Sequence, residues 1–334
     1  MKTVVLPLLS VLAALVPALR AEESFFKAGA AVEKLFTGQG ETEGCTTAPD
    51  GTIYFSDITL SRIVKDDRGI TQGGHIWRFD PKTGQTTLFR SPSAKSNGLE
   101  FDALGHLVAC EGADFGGRRI SRTDLRTGLC SILTATFDGR PYNAPNDLAI
   151  ANNGRIFFTD PKYVGPEPLE QPVMGVYCID ARNQVTRVIT DAGKPNGICL
   201  SPDEKTLYVG VNDNGSSGVD ALLDDKHQPP PLRQGLMAIL AYDLKEDGAA
   251  VFRSILVNYG SDPGPDGIAC DGKGNLWTTA RNPARPGIIV YSPEGRELDY
   301  LKAEPPPTNL CFGREGDKHL YITAGSSLWR VALK

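Results

Sequence analysis

The chain has 334 residues, with 35 Lys and Arg against 40 Asp and Glu, a formal charge of −5, and 40% hydrophobic residues. By length alone it is one large β domain or two smaller ones. A mildly acidic chain without a Lys/Arg run is poorly suited to nucleic acid, and past the N-terminus no stretch reaches the roughly 18 apolar residues that a membrane span needs.

Lys2, an apolar run over residues 4–16 broken only by Pro7 and Ser10, and small residues at Ala18 and Ala21 read as a secretory signal peptide over residues 1–21. Cleavage after Ala18 and after Ala21 both fit. Export makes the mature protein, residues 22–334, secreted or periplasmic. Losing Lys2 and Arg20 takes the formal charge to −7, 33 basic residues against 40 acidic. Seven cysteines in an exported chain suggest disulfides, but Cys110, Cys199, Cys270 and Cys311 sit in apolar strand segments, where cysteine serves as a small hydrophobe. Their number is odd and no CxxC occurs, so core filling is the favoured reading. A bridge involving Cys130 and Cys178 stays open.

Residues 30–38, AAVEKLFTG, form a strand ahead of any complete repeat. Six strand–turn–strand units follow, with turns beginning at Asp50, Leu104, Asn153, Asp203, Lys273 and Glu315, spaced by 42 to 70 residues. That spacing is about one four-stranded propeller blade. Secondary hairpins such as HIWRFDPKTGQTTLF (75–89) and IIVYSPEGRELDYL (288–301) supply the second pair of strands in each unit. No amphipathic helix of ten residues or more is evident. The fold expected is therefore all-β: one six-bladed propeller with four-stranded antiparallel blades. The strand at 30–38 and the C-terminal SLWRVALK would close the ring together, removing free sheet edges. Two Pro/Gly-rich stretches, 161–172 and 212–235, read as long surface loops; the second is a lid over the channel mouth or a passive insertion.

Seven residues before each turn stands a polar side chain: Glu43, Asn97, Asn146, Asn196, Asp266 and Thr308. Placed by rotation, they form a ring facing the central channel. Glu43, Asn146, Asn196 and Asp266 carry oxygen donors suited to calcium or magnesium, and two carboxylates neutralise one divalent ion. Asn or Asp before a strand often only caps a bend, but six in one phase point to a site. The four histidines are scattered without HxH or HExxH, which disfavours a zinc hydrolase. The absence of GxSxG disfavours a serine esterase.

The segments TEGCTTAPDGTIYFSD, NAPNDLAIANNGRIFFTDPKY, KPNGICLSPDEKTLYV, GPDGIACDGKGNLW and TNLCF resemble, in order and across the mature chain, the SMP-30/gluconolactonase family of calcium-dependent six-bladed propellers, in its bacterial gluconolactonase branch. The resemblance implies that Glu43, Asn196 and Asp266 coordinate a divalent cation, most simply Ca2+, with Mg2+, Mn2+ or Zn2+ as alternatives. It implies that Asn146 is a ligand or substrate contact, that Asn97 faces substrate, and that Asp266 is the general base. Two departures stand out. Cys45 replaces the usual Pro after Glu-Gly, and Ala144 stands where some members carry a substrate-gripping Arg. Arg118 or Arg119, in GGRRISR, are the candidates to replace that contact, or else they form a solvated pair. The activity expected is metal-dependent hydrolysis of a sugar lactone such as glucono-1,5-lactone. The rivals are hydrolysis of a non-sugar lactone or phosphotriester on the same site, and a binding propeller with a structural ion.

Overall fold

The structure is a computed structural model that describes residues 24–60, 73–216, 233–314 and 316–334. The expected signal peptide, Glu315 and most of the 212–235 loop lie outside the described residues.

The described residues form six four-stranded antiparallel sheets, one two-stranded hairpin and no helix; five of the blades follow the chain from an inner strand outward, and the sixth takes its outermost strand from the N-terminus. The inner strands are Thr42–Thr47, Ser96–Phe101, Leu148–Ile150, Pro195–Leu200, Ile268–Cys270 and Pro307–Phe312, and each packs beside the next around one axis. This is the six-bladed propeller that the repeats predict.

Burial along each blade follows from the stacking. Second strands such as Ile53–Asp57, Leu107–Glu111 and Leu276–Ala280 are buried on both faces, because blades pack against both sides of them. The outermost strands Cys130–Thr134 and Ala250–Asn258 keep many exposed positions. Between blades the core is aromatic and aliphatic. Phe158 stacks on Tyr177 with ring centroids 5.3 Å apart, and Trp277 meets Phe25, Phe26 and Phe312 edge-on. Cys45, Cys110, Cys178 and Cys199 are buried, and all seven cysteines, Cys130 and Cys178 included, are unbridged.

Ring closure is as expected. Glu33–Thr37 pairs antiparallel with Ser327–Ala332, and Phe26 bridges Leu333 beyond it. The last blade is thus built from both ends of the chain, with the N-terminal strand as its outermost member.

The innermost strands approach one another closely because a glycine follows most ring residues: Gly44, Gly98, Gly197 and Gly267. The Gly98 N–H donates to Asn146 O (2.7 Å), that of Gly197 to Asp266 O (2.8 Å) and that of Gly267 to Thr308 O (2.7 Å). Asn146, Asp266 and Thr308 are thereby held by the backbone of the preceding blade. Blades 3 and 6, opposite each other, carry Asp147 and Asn309 instead. Their side chains meet across the axis, Asn309 Nδ2 to Asp147 Oδ2 at 3.5 Å, and divide the channel into an upper and a lower cavity.

Candidate metal and substrate cavity

The upper cavity has a volume of about 220 Å3. Glu43, Asn97, Asn146, Asn196 and Asp266 all line it, so five of the six positions singled out by phase converge. Hydroxyls on the second strands fix several of them from behind. Ser56 Oγ donates to Asn97 O (2.7 Å), and Thr279 Oγ1 accepts from Asp266 N (2.9 Å). Two buried carboxylates hold the approach segments: Asp57 accepts from the N–H groups of Gln39 and Gly40, and Asp160 from those of Asn143 and Ala144.

The sixth position departs from expectation. Thr308 is fully buried, and its Oγ1 donates to Thr42 O at 2.7 Å while lying 2.9 Å from Thr323 Oγ1. It ties blade 6 to blade 1 and does not line the cavity. A hydroxyl next to an unpaired inner-strand carbonyl bonds to it rather than facing open space.

Arg118 and Arg119, the candidates for a substrate contact, are not among the residues that line this cavity. Arg118 Nε donates to Tyr142 O (2.7 Å). Arg119 Nε pairs with Glu111 (2.5 Å), which also accepts from Arg90 (2.8 Å) and Ser121 Oγ (2.7 Å). Glu111 is fully buried and takes these cations as counter-charges. The arginine that does reach the cavity is Arg281, directly after the strand Leu276–Ala280. Its Nη1 lies 2.9 Å from Asp266 Oδ2, and its Nη2 lies 3.7 Å from Glu41 Oε1. Nothing in the repeat phase marks it, since it stands at the exit of a second strand.

Glu41, Lys95, Tyr163, Asn212 and Asn214 complete the polar wall, with Ile58, Leu60 and Val164 on the apolar side. Lys95 is spent on Thr59 O and on Asp114, 3.5 Å away. Thr59, Lys95 and Asp114 all have positive φ, a conformation that costs free energy and gathers at functional sites. Lys194 anchors the start of the long insertion, donating to Asn214 Oδ1 (2.8 Å) and Ser216 O (2.6 Å) and sitting 4.3 Å over the Tyr163 ring. Burial lowers its amine to about 8.

Electrostatically the cavity is short of positive charge. Among the described residues, Arg281 is the cation that Glu41, Glu43 and Asp266 share. Burial raises the Glu43 carboxyl well above its ordinary value, and the nearby charges of Asp266 and Glu41 push it further. Asp266 is raised by burial and pulled back by Arg281 and by the Asn196 amide, whose Nδ2 donates to Asp266 Oδ1 at 2.8 Å. Glu43 is 6% exposed and, among the described residues, accepts one bond, from Gly44 N at 3.2 Å. A buried carboxylate so thinly satisfied suits a cation ligand. Among the described residues no group of three His, Cys, Asp or Glu is poised around one point. A cation here would therefore draw on the Asn146 and Asn196 amide oxygens as well, an all-oxygen set that fits a hard divalent ion.

A match to the family described as the SMP-30/Gluconolactonase/LRE-like region covers residues 41–223 and 234–326. The chain belongs to that family. Within it, the chain is 30% identical to a gluconolactonase of Zymomonas mobilis over 74% of its own length and 65% of the relative's. A lactonohydrolase of Aspergillus oryzae is 28% identical, matched over 74% and 58% of the two lengths. The chain thus spans a little under two thirds of the length of these relatives. A solved gluconolactonase from Xanthomonas campestris superposes with a TM-score of 0.74 at 25% identity, covering 93% of this chain and 92% of that one. The calcium-binding protein regucalcin from Agrobacterium tumefaciens shares the fold, at TM-score 0.68 and 17% identity.

Below the Asp147–Asn309 contact, the lower cavity of about 260 Å3 holds Glu100, whose Oε2 accepts from Ile150 N at 2.8 Å. Burial raises Glu100 to about 8. A carboxyl that stays protonated in the fold but ionises when unfolded costs stability as pH rises from the ordinary 4.5 to about 8. Glu100→Gln keeps the neutral shape and its acceptor. The variant should melt above the parent at pH 8–9, with the gap closing toward pH 4.5; a gap independent of pH would refute this ionisation account.

Proposed function

We propose that this protein is a divalent-cation-dependent lactonase that hydrolyses a sugar lactone such as glucono-1,5-lactone to the aldonic acid, and that it works after export, in the periplasm or outside the cell. The observation that carries the reading is the oxygen donor set of Glu43, Asn146, Asn196 and Asp266 around one small cavity; the relatives named as gluconolactonase and lactonohydrolase support it. A volume of about 220 Å3 is below the roughly 300–1,000 Å3 of drug-sized sites, which suits a substrate of one ring.

Glu43, Asn146, Asn196 and Asp266 would hold the cation, most simply Ca2+. When bound, it supplies Lewis-acid polarisation of the lactone carbonyl. Asn97 offers an amide that both donates to and accepts from substrate hydroxyls, and Asn146 shares that task from blade 3. Asp266 takes a proton from the attacking water. Ile58, Leu60 and Val164 add apolar surface to the cavity and limit bulk water there. A lactone needs only a weak base, which is consistent with a cavity lined by no histidine among the described residues.

The test is hydrolysis of glucono-1,5-lactone by EDTA-stripped mature protein, with and without added calcium, magnesium, manganese or zinc. Activity should vanish on stripping and return with calcium. Cation binding without hydrolysis of this or other aldono lactones would move the reading to another substrate class or to a binding role.

A further inference from the structure

The ring has a gap at blade 6. Thr308, the residue in phase there, is turned into the protein and bonded to Thr42 O. Arg281, from blade 5, reaches across that gap. Its Nη1 lies 3.5 Å from the carbonyl oxygen of Pro307, the residue just before Thr308, and the same guanidinium spans Asp266 and Glu41.

We propose that Arg281 is the sixth ring member, a built-in cation that occupies the Asp266 and Glu41 carboxylates and limits how tightly the ring holds its divalent ion. The inference rests on the reading of the ring as a divalent-cation site. Around a bound cation, with Glu41, Glu43 and Asp266 ionised and Arg281 charged, these four residues carry two uncompensated negative charges. One divalent ion neutralises them. Arg281 therefore does two opposing things. It stabilises the carboxylates of the ion-free chain, which would otherwise face one another buried and unpaired. It also repels an incoming cation and competes for Asp266 at a few ångströms, inside a cavity where charges are weakly screened. Repulsion between full charges at that range outweighs the loss of one orienting hydrogen bond, so its removal should tighten cation binding.

The fold also gives the guanidinium somewhere to go. Arg281 also lines a second cavity of about 120 Å3, together with Asp262, Tyr259, Tyr291 and Arg285, whose guanidinium is itself paired with Glu297. A side chain released from Asp266 by an arriving cation meets another carboxylate there. The side chain of Arg281 is 28% exposed and that of Asp266 13%, so the exchange happens at the cavity wall and requires no opening of the blades.

The experiment is calorimetric titration of EDTA-stripped protein with calcium, paired with thermal melts with and without the ion, for the parent, Arg281→Gln and Arg281→Lys. Arg281→Gln should bind calcium at least about tenfold tighter than the parent. Stripped, it should melt below the stripped parent, with saturating calcium closing most of the difference. Arg281→Lys keeps the charge and should stay within about threefold of the parent in affinity. Unchanged or weaker calcium binding by Arg281→Gln, with a folded baseline, would overturn the role assigned to Arg281 while leaving the ring as a cation site. No calcium binding by any of the three proteins would overturn the cation site itself and this inference with it. Neither readout depends on lactone turnover.

Discussion

Asp266→Asn should reduce lactone turnover by about 10^2–10^4-fold, the range associated with losing a positioned general base. The substitution is nearly isosteric, so the fold should survive, and circular dichroism and melting check that it does. Asn can still offer an oxygen to a cation, but it cannot accept a proton from water. It also leaves Arg281 without its 2.9 Å partner. Two effects then have to be separated. If Asp266 serves only to hold the ion, raising calcium to saturation restores turnover in the variant. If it is the base, kcat stays low at every calcium concentration. Glu41 is the control, because it lines the same cavity and burial raises its carboxyl from its ordinary value. Near-normal turnover in Asp266→Asn with a deep loss in Glu41→Gln would transfer the base role to Glu41.

The ring was legible because rotation repeats a phase. One polar residue seven positions before each turn is enough to bring Glu43, Asn97, Asn146, Asn196 and Asp266 to one wall. Phase says where a Cα lies and not which way a short side chain turns. Thr308 therefore read as a ring member, although its hydroxyl is used on a backbone carbonyl. Arg118 and Arg119 failed for a different reason. A buried carboxylate, Glu111, claims Arg119, and the Tyr142 carbonyl claims Arg118; nothing in the sequence marked Glu111 as fully buried. Arg281 and Lys95 entered the cavity from positions outside the phase, one at a strand exit and one in a left-handed turn. Side chains of that length reach places that a repeat alignment does not index. The ring closure by residues 30–38 was readable for the opposite reason: a single unpaired strand at each end leaves each only the other as a partner.

The glycine that follows four of the six ring residues carries the second large effect. A Cβ at Gly197 would overlap Asp266 O and stand 2.8 Å from Ile268 N and 3.0 Å from the Gly267 carbonyl carbon. All of these are backbone atoms, so no side chain can swing aside, and the overlapped oxygen is the one that accepts from Gly197 N. Gly197→Ala must therefore push blades 4 and 5 apart at their innermost strands. Overpacking of this kind costs about 1–3 kcal/mol, and here the displaced residue is Asp266 itself. The variant should melt several degrees below the parent and bind calcium more weakly, because the separation of Asn196 and Asp266 is set by that contact. Gly272→Ala is the matched control: a Cβ there meets nothing within 4 Å, so the same chemical change should leave stability equal or slightly higher. Parent-like melting and calcium binding in Gly197→Ala would mean that the blades yield at no cost, and that close packing of the inner strands does not hold the ring in register.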